Sequence, residues 1–355
     1  MSADPGIQNI EQRLPILLTT LEVLQLIGRY LNPPELAGLL ATVGAPDEKL
    51  RDHAGAAWPE NLAALGAQLD LATDEALAAF EGLRASAEDP GALGDMFRAM
   101  RHIPKALEAL YPLACMLPPV NRFFLDADKR KDVEFQKRFL KPPEGNTGII
   151  RFGDDHDARE TVWAYVPETY SPDVAHPLVV ALHGGSGRGR AFLWSWVRDA
   201  RSRGAIVAAP TSVGQTWAIQ GTDADSPRLA QLVKLIGEHW NVDSSRVMLT
   251  GMSDGGTFSY VSGLDASSPF THLAPAAAAF HPMLAMADEN RIRGLPIHIT
   301  HGRKDWMFPV DMARQAEAYF RGAGARVTYR EVGDLSHTYP VDLNGAMLDW
   351  LNSAE

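Results

Sequence analysis

Gly251-Met252-Ser253-Asp254-Gly255 stands between a short apolar run, Val247-Met248-Leu249-Thr250, and a helical stretch that begins at Gly256. Glycines on either side of Ser253 suit a strand-to-helix turn so tight that a side chain at Gly251 or Gly255 would strike backbone, while the strain lifts the serine hydroxyl clear of the sheet. Ser253 is therefore the expected nucleophile of an acyl transfer. A serine between glycines is by itself only a turn, so the reading depends on partners elsewhere. A serine hydroxyl is a poor nucleophile at neutral pH and needs a base, for which a neutral imidazole serves; a carboxylate then fixes the imidazole tautomer. Of 11 histidines, only His337, in Leu335-Ser336-His337-Thr338-Tyr339-Pro340, lies past the last expected strand, where the order serine, acid, histidine requires the base. A structural histidine donating to a loop carbonyl is the bland alternative.

Asp305, in His301-Gly302-Arg303-Lys304-Asp305-Trp306, follows the strand expected to end at Thr300 and is the candidate acid. Arg303 and Lys304 leave a surface ion pair as the competing role, but the place of Asp305 between a strand and a helix favours the acid. His281 and His301 also follow strands, yet both precede Asp305 and fit the order less well. His183-Gly184-Gly185-Ser186-Gly187 follows an interior strand, and a glycine-rich turn lets a backbone N–H approach a developing oxyanion. The expected donors are the amides of Gly185 and Asp254, with Ser186 as the fallback for Gly185. No G-x-x-x-x-G-K-S/T pattern supports a phosphate cradle there. Trp194, Trp196, Trp217, Trp306 and Tyr339 flank these loops. Trp217 and Trp306 are the first candidates for an apolar substrate wall, with at least two of the five expected to serve the core.

These residues need a sheet to bring them together. Short apolar runs at residues 149–152, 161–166, 177–183, 205–209, 247–250, 276–280, 297–300 and 327–331 read as strands, the first two as an antiparallel hairpin. Helical stretches at 226–240, 310–321 and 341–351 alternate with them, the pattern of an α/β fold with a largely parallel eight-stranded sheet covered on both faces. In such a sheet, polar residues just past the carboxyl ends of the strands converge although distant in sequence. The front of the chain differs. Leu14, Leu17, Leu21, Leu24 and Ile27 recur at helical spacing, and helical periodicity continues to about Leu140. Pro142-Pro143-Glu144-Gly145-Asn146 breaks the pattern, which sets the expected division at 1–146, all-α, and 147–355, the α/β catalytic part. A lid, an oligomer contact and a buttress are all open as roles for the helical region.

A chain of 355 residues with 46% hydrophobic content can build a sizeable core, and a formal net charge of −11 disfavours nucleic acid or an acidic lipid surface as a partner. The one cysteine, Cys115, cannot form an internal disulfide and reads as a small buried hydrophobe. The amino terminus lacks a basic segment followed by an apolar core, so a cytoplasmic location is the default expectation. The most apolar stretch contains Glu22, Gln25 and Arg29 and reads as an amphipathic helix, so no membrane span is expected. His53 and His102 have no second ligand at metal-like spacing.

Together, Leu182-His183-Gly184-Gly185-Ser186, Gly251-Met252-Ser253-Asp254-Gly255-Gly256, His301-Gly302-Arg303-Lys304-Asp305 and Ser336-His337-Thr338-Tyr339-Pro340 resemble the α/β-hydrolase superfamily. Within it they are most similar to the phospholipase/carboxylesterase branch and to polyhydroxybutyrate-depolymerase-like and dienelactone-hydrolase-like esterases. The resemblance spans roughly residues 159–351. It implies an α/β-hydrolase fold with nucleophile Ser253, acid Asp305, base His337 and oxyanion donors Gly185 and Asp254. It also implies a small-molecule ester substrate and neither a metal nor an organic cofactor. The same triad serves amide bonds, so a serine peptidase or amide hydrolase is the alternative. A non-catalytic interaction module is less well supported, because all three triad residue types are present. A homo-oligomer is left open.

Overall fold

The computed structural model describes residues 5–55, 57–89, 91, 93–156, 158–281, 284 and 288–353. The chain divides into two compact units, Met1–Pro142 and Pro143–Glu355.

The first unit is helical. Its two longest helices are Pro5–Tyr30 and Ala63–Glu88. The former buries Leu14, Leu17, Leu21, Leu24 and Ile27 and the latter Leu69, Ala72, Ala76, Phe80 and Leu83, so each carries one apolar stripe at intervals of three and four residues. Arg13 is fully buried between them, its guanidinium donating to Asp70 at 2.6 Å and Thr73 at 3.0 Å. Such a charge is tolerable inside only because it is paired. Cys115, expected to be buried, is half-buried instead and contacts the Pro112 carbonyl at 3.4 Å. It ends the short 3-10 turn Tyr111–Cys115, whose buried residues are Tyr111, Leu113 and Ala114. Among the described residues, no helix is long and apolar enough to cross a membrane.

The second unit is built on one sheet of β1 (Gly148–Phe152), β2 (Val162–Val166), β3 (His176–Leu182), β4 (Ile206–Ala209), β5 (Val242–Met252), β6 (His272–Ala276), β7 (Pro296–Gly302) and β8 (Arg326–Val332). The order across the sheet is β1-β2-β4-β3-β5-β6-β7-β8. β1 and β2 pair antiparallel, β2 joins β4 antiparallel, and every later pairing is parallel. All seven residues of β3 are buried, as a strand covered on both faces requires. Val180, Leu249, Leu273 and Ile297 from neighbouring strands pack with Phe258 and Phe320 of the helices Asp254–Gly263 and Asp311–Gly322.

One expected strand is displaced. The apolar run 276–280 suggests a strand there, but the sheet uses His272–Ala276, whose His272 and Pro275 interrupt the apolar pattern. Ala276 pairs with Met252 and Thr300, and then Ala277 turns out of the sheet at φ 46°. Residues expected in the strand thus form the loop beside Ser253. β5 is longer than expected because its polar first half, Asp243 to Arg246, still continues the strand.

Candidate active site

β5 ends at Met252, the helix Asp254–Gly263 begins two residues later, and Ser253 alone makes the turn at φ 56° and ψ −118°. That backbone is strained for a residue with a side chain and persists only where its surroundings hold it. Here the Ser253 amide donates to the Ala276 carbonyl at 3.0 Å, and its carbonyl accepts from Thr257 at 2.8 Å. A Cβ on Gly251 would lie 2.5 Å from the Gly255 carbonyl group, and one on Gly255 would lie 2.5 Å from the Leu182 and His183 oxygens. Both glycines are therefore imposed by backbone contact.

His337 lies in the loop after β8 and Asp305 in the loop after β7. His337 Nε2 is 3.0 Å from Ser253 Oγ, and His337 Nδ1 is 3.0 and 2.9 Å from the two oxygens of Asp305. An ionised carboxylate only accepts, so Nδ1 carries the proton and Nε2 presents its lone pair to the serine hydroxyl. Ser253 and His337 are 7% and 5% exposed, so both are largely shielded from water. The Asp305 side chain is fully buried. Burial pushes its carboxyl up, but hydrogen bonds from His301 and His337 and from the Phe308 amide outweigh this and hold it well below the usual carboxylate range. The Met307 and Phe308 amides both donate to Asp305 Oδ1, at 2.9 and 2.7 Å, closing a turn around the carboxylate.

The glycine loop is set by His183. Its Nε2 accepts from the Ser212 amide at 3.1 Å, so its Nδ1 carries the proton given to the Gly184 carbonyl at 2.6 Å. The Ser186 amide is committed to the Gln215 carbonyl at 3.1 Å, whereas the Gly185 and Asp254 amides have no partner among the described residues. The Asp254 carboxylate accepts from Thr216 Oγ1 at 2.5 Å, and a Cβ on Gly185 would lie 2.8 Å from the same oxygen.

Residues 219–354 match the family model described as phospholipase/carboxylesterase. The match covers β5 to β8 and the loops that carry Ser253, Asp305 and His337. Over those residues the chain is similar to that family, and the second unit has the α/β-hydrolase fold. A stretch of 155 residues, 42% of the chain, is 29% identical to the bifunctional acetylxylan esterase/xylanase XynS20E of Neocallimastix patriciarum and spans 22% of that protein's length. Among solved structures, a truncated carbohydrate esterase from gut microbiota aligns at 15% identity and a TM-score of 0.49, over 59% of this chain and 97% of that one. A thermostable esterase aligns at 20% identity and a TM-score of 0.46, over 57% and 62% of the two chains.

In this unit the two tryptophans expected near the substrate part company. Trp217 is 3% exposed, stacked on Phe258 at 5.6 Å and against His183 at 4.9 Å, with its Nε1 donating to the His183 carbonyl. It is a core residue bracing the glycine loop, which corrects the expectation of an open wall: the chain after β4 folds inward at this point. Trp306 is 38% exposed and its ring meets His337 edge-on at 5.9 Å. Trp194, Trp196 and Tyr339 are buried. His281 is exposed. Sequence reasoning passed over His183, Thr216 and the true partners of His301, which donates from Nε2 toward Phe308 O and Asp305 Oδ2. The available signal was position, since His183 and His301 each sit at the end of a strand beside a glycine. Among the described residues, no group of three histidine, cysteine, aspartate or glutamate side chains is placed to hold a metal.

Buried histidines give the second unit a pH-dependent stability. Burial lowers His183, His272 and His298 to about 4 in the folded state. An unfolded histidine titrates near ~6.5, so between these values the unfolded chain binds protons that the folded one refuses. Their stabilising contribution is complete above pH ~6.5 and is lost as pH falls toward ~4. The urea midpoint is expected to be lower at pH ~5 than at pH ~7. Equal midpoints would contradict the neutral, buried state of these rings.

Proposed function

We propose that the chain is a serine hydrolase that cleaves carboxylic esters through an acyl-enzyme, with catalysis carried by residues 147–355. The observation that carries this reading is the unbroken line Ser253 Oγ, His337 Nε2, His337 Nδ1, Asp305 carboxylate. Ser253 Oγ attacks the ester carbonyl as its proton passes to His337 Nε2, and Asp305 stabilises the imidazolium that forms. The amides of Gly185 and Asp254 receive the developing oxyanion. The alcohol leaves with the proton from His337, after which water, deprotonated by the same nitrogen, attacks the acyl-serine and releases the acid.

The acetylxylan esterase in the matched relative's name supports a short acyl group on a hydroxylated carrier as the first substrate to try. A panel of p-nitrophenyl esters of graded acyl length, acetylated xylan and an aminoacyl anilide tests both bond type and acyl size. Ester turnover well above anilide turnover is expected, and the reverse preference would convert the reading to an amide hydrolase. A fluorophosphonate that leaves Ser253 unlabelled would remove the serine mechanism altogether.

Trp306 and Met307, 38% and 43% exposed, form an apolar rim next to His337. We place the leaving-group side of the ester against this rim. An indole face packed on an aromatic group contributes about 1 kcal/mol beyond its buried area. Trp306→Ala should therefore raise KM for aryl esters about fivefold with kcat changed little. Unchanged KM for aryl esters would place the leaving group elsewhere.

A further inference from the structure

We infer that His301 is a positioning residue for Asp305, an inference that rests on the triad reading just given. His301 stands at the end of β7 with its side chain 1% exposed. Its Nε2 is 2.9 Å from the Phe308 carbonyl oxygen and 3.3 Å from Asp305 Oδ2. A carbonyl only accepts, so this nitrogen carries a proton, and one N–H is shared between the carbonyl and the carboxylate. Among the described residues no hydrogen bond joins His301 to Ser253, and its Nε2 proton is already shared between the Phe308 carbonyl and Asp305, so its influence passes through the acid.

The surrounding contacts show what that influence is. Asp305 Oδ1 is pinned by the Met307 and Phe308 amides, while Oδ2 is faced by two imidazoles, His301 and His337. Phe308 closes the circuit, because its amide donates to the carboxylate, its carbonyl accepts from His301, and its ring meets His337 edge-on at 5.2 Å. The next residue holds the two loops at a fixed distance. A Cβ on Gly302 would lie 2.1 Å from the Leu335 carbonyl oxygen, and the Arg303 and Lys304 amides donate to Val332 and Leu335 at 2.9 and 3.0 Å. His301 thus couples the strand end, the acid turn and the base loop. Without its N–H, Oδ2 keeps only His337 among the described residues and the Phe308 carbonyl loses the His301 donor, so the plane of the carboxylate is no longer set from both sides.

The test compares wild type with His301→Leu, His301→Gln and Ser253→Ala in the full chain, on p-nitrophenyl acetate and by low-field proton NMR. A hydrogen bond to a charged group is worth about 1.5–3 kcal/mol, which corresponds to roughly 10- to 100-fold in rate. His301→Leu should lose that factor in kcat with KM within about threefold, and His301→Gln, whose amide nitrogen can donate to the same acceptors, should recover most of it. The low-field resonance of the His337 Nδ1 proton, assigned by its absence from Asp305→Asn, should broaden or move upfield in His301→Leu and return in His301→Gln. A lowered melting temperature with kcat and this resonance unchanged would make His301 merely structural and overturn the inference. If His301→Leu does not fold, the same two readouts on His301→Asn decide, with wild-type values overturning the inference and losses of the stated size upholding it. Failure of the triad reading is visible separately: Ser253→Ala would then hydrolyse the ester as fast as wild type, while the resonance would still report on His301.

Discussion

Ser253→Ala is expected to lower kcat for p-nitrophenyl acetate on the order of 10^5-fold while the protein stays folded. The size follows from what the hydroxyl alone supplies. With Oγ gone, His337 Nε2 has no nucleophile to activate and no acyl-enzyme can form, so the two-step route closes completely. What survives is the polarisation of a bound ester by the Gly185 and Asp254 amides, which retains a modest advantage over water. Folding should change little, because alanine keeps the Cβ and the backbone bonds from Ser253 to Ala276 and Thr257 are main-chain bonds. The loss is confined to the hydrogen bond with His337, about 1 kcal/mol. Steady-state kinetics on freshly purified protein, with thermal melting alongside, checks both halves. Residual activity above about a tenth of wild type would refute Ser253 as nucleophile.

The second large effect is expected for Asp305→Asn, about 10^4-fold in kcat with KM little altered. Asparagine has nearly the shape of aspartate, and its carbonyl oxygen can keep the Met307 and Phe308 amides. Its amide nitrogen then occupies the place of Oδ2 and points hydrogens at His337 Nδ1 and at His301 Nε2. His337 can accept there only by moving its own proton to Nε2, which faces Ser253 Oγ as a donor and can no longer take the serine proton. The imidazolium of the transition state also loses its counter-charge. Measuring kcat together with the nitrogen shifts of His337 separates this from simple misfolding. A loss below about tenfold, or an unchanged tautomer, would show that Asp305 does not act on the base.

Much of this site was legible because local sterics dictate identity. Gly251 and Gly255 flank Ser253 since no other side chain fits against the Gly255, Leu182 and His183 backbone, so the turn could be read before its surroundings were known. Eight strands were countable for a similar reason: interior parallel strands must be apolar on both faces, and β3 is. The order of Ser253, Asp305 and His337 along the chain, each just past a strand, placed them at one edge by topology alone. β6 escaped because the sheet tolerates His272 and Pro275 where a pattern of apolar residues does not foresee them, and the more apolar 276–280 continues past the edge.

Other features were settled only by folding, for reasons that composition cannot carry. Trp217 and Trp306 are the same residue type in loops that follow strands, yet one is stacked between His183 and Phe258 and the other stands open beside His337. Which glycine-loop amide stays unpaired depends on where the Gln215 carbonyl lands, and it takes Ser186. His301 looked like a poorly placed base, but the turn closed by Asp305 folds the carboxylate and the Phe308 carbonyl back onto it. Residue identity announced the turn, most of the strands and the order of Ser253, Asp305 and His337 past their strands, because each is a short-range steric or pattern constraint. Which polar atoms face one another was decided by long-range packing, because a hydrogen bond depends on separations of a few tenths of an ångström that only the assembled sheet and its loops set.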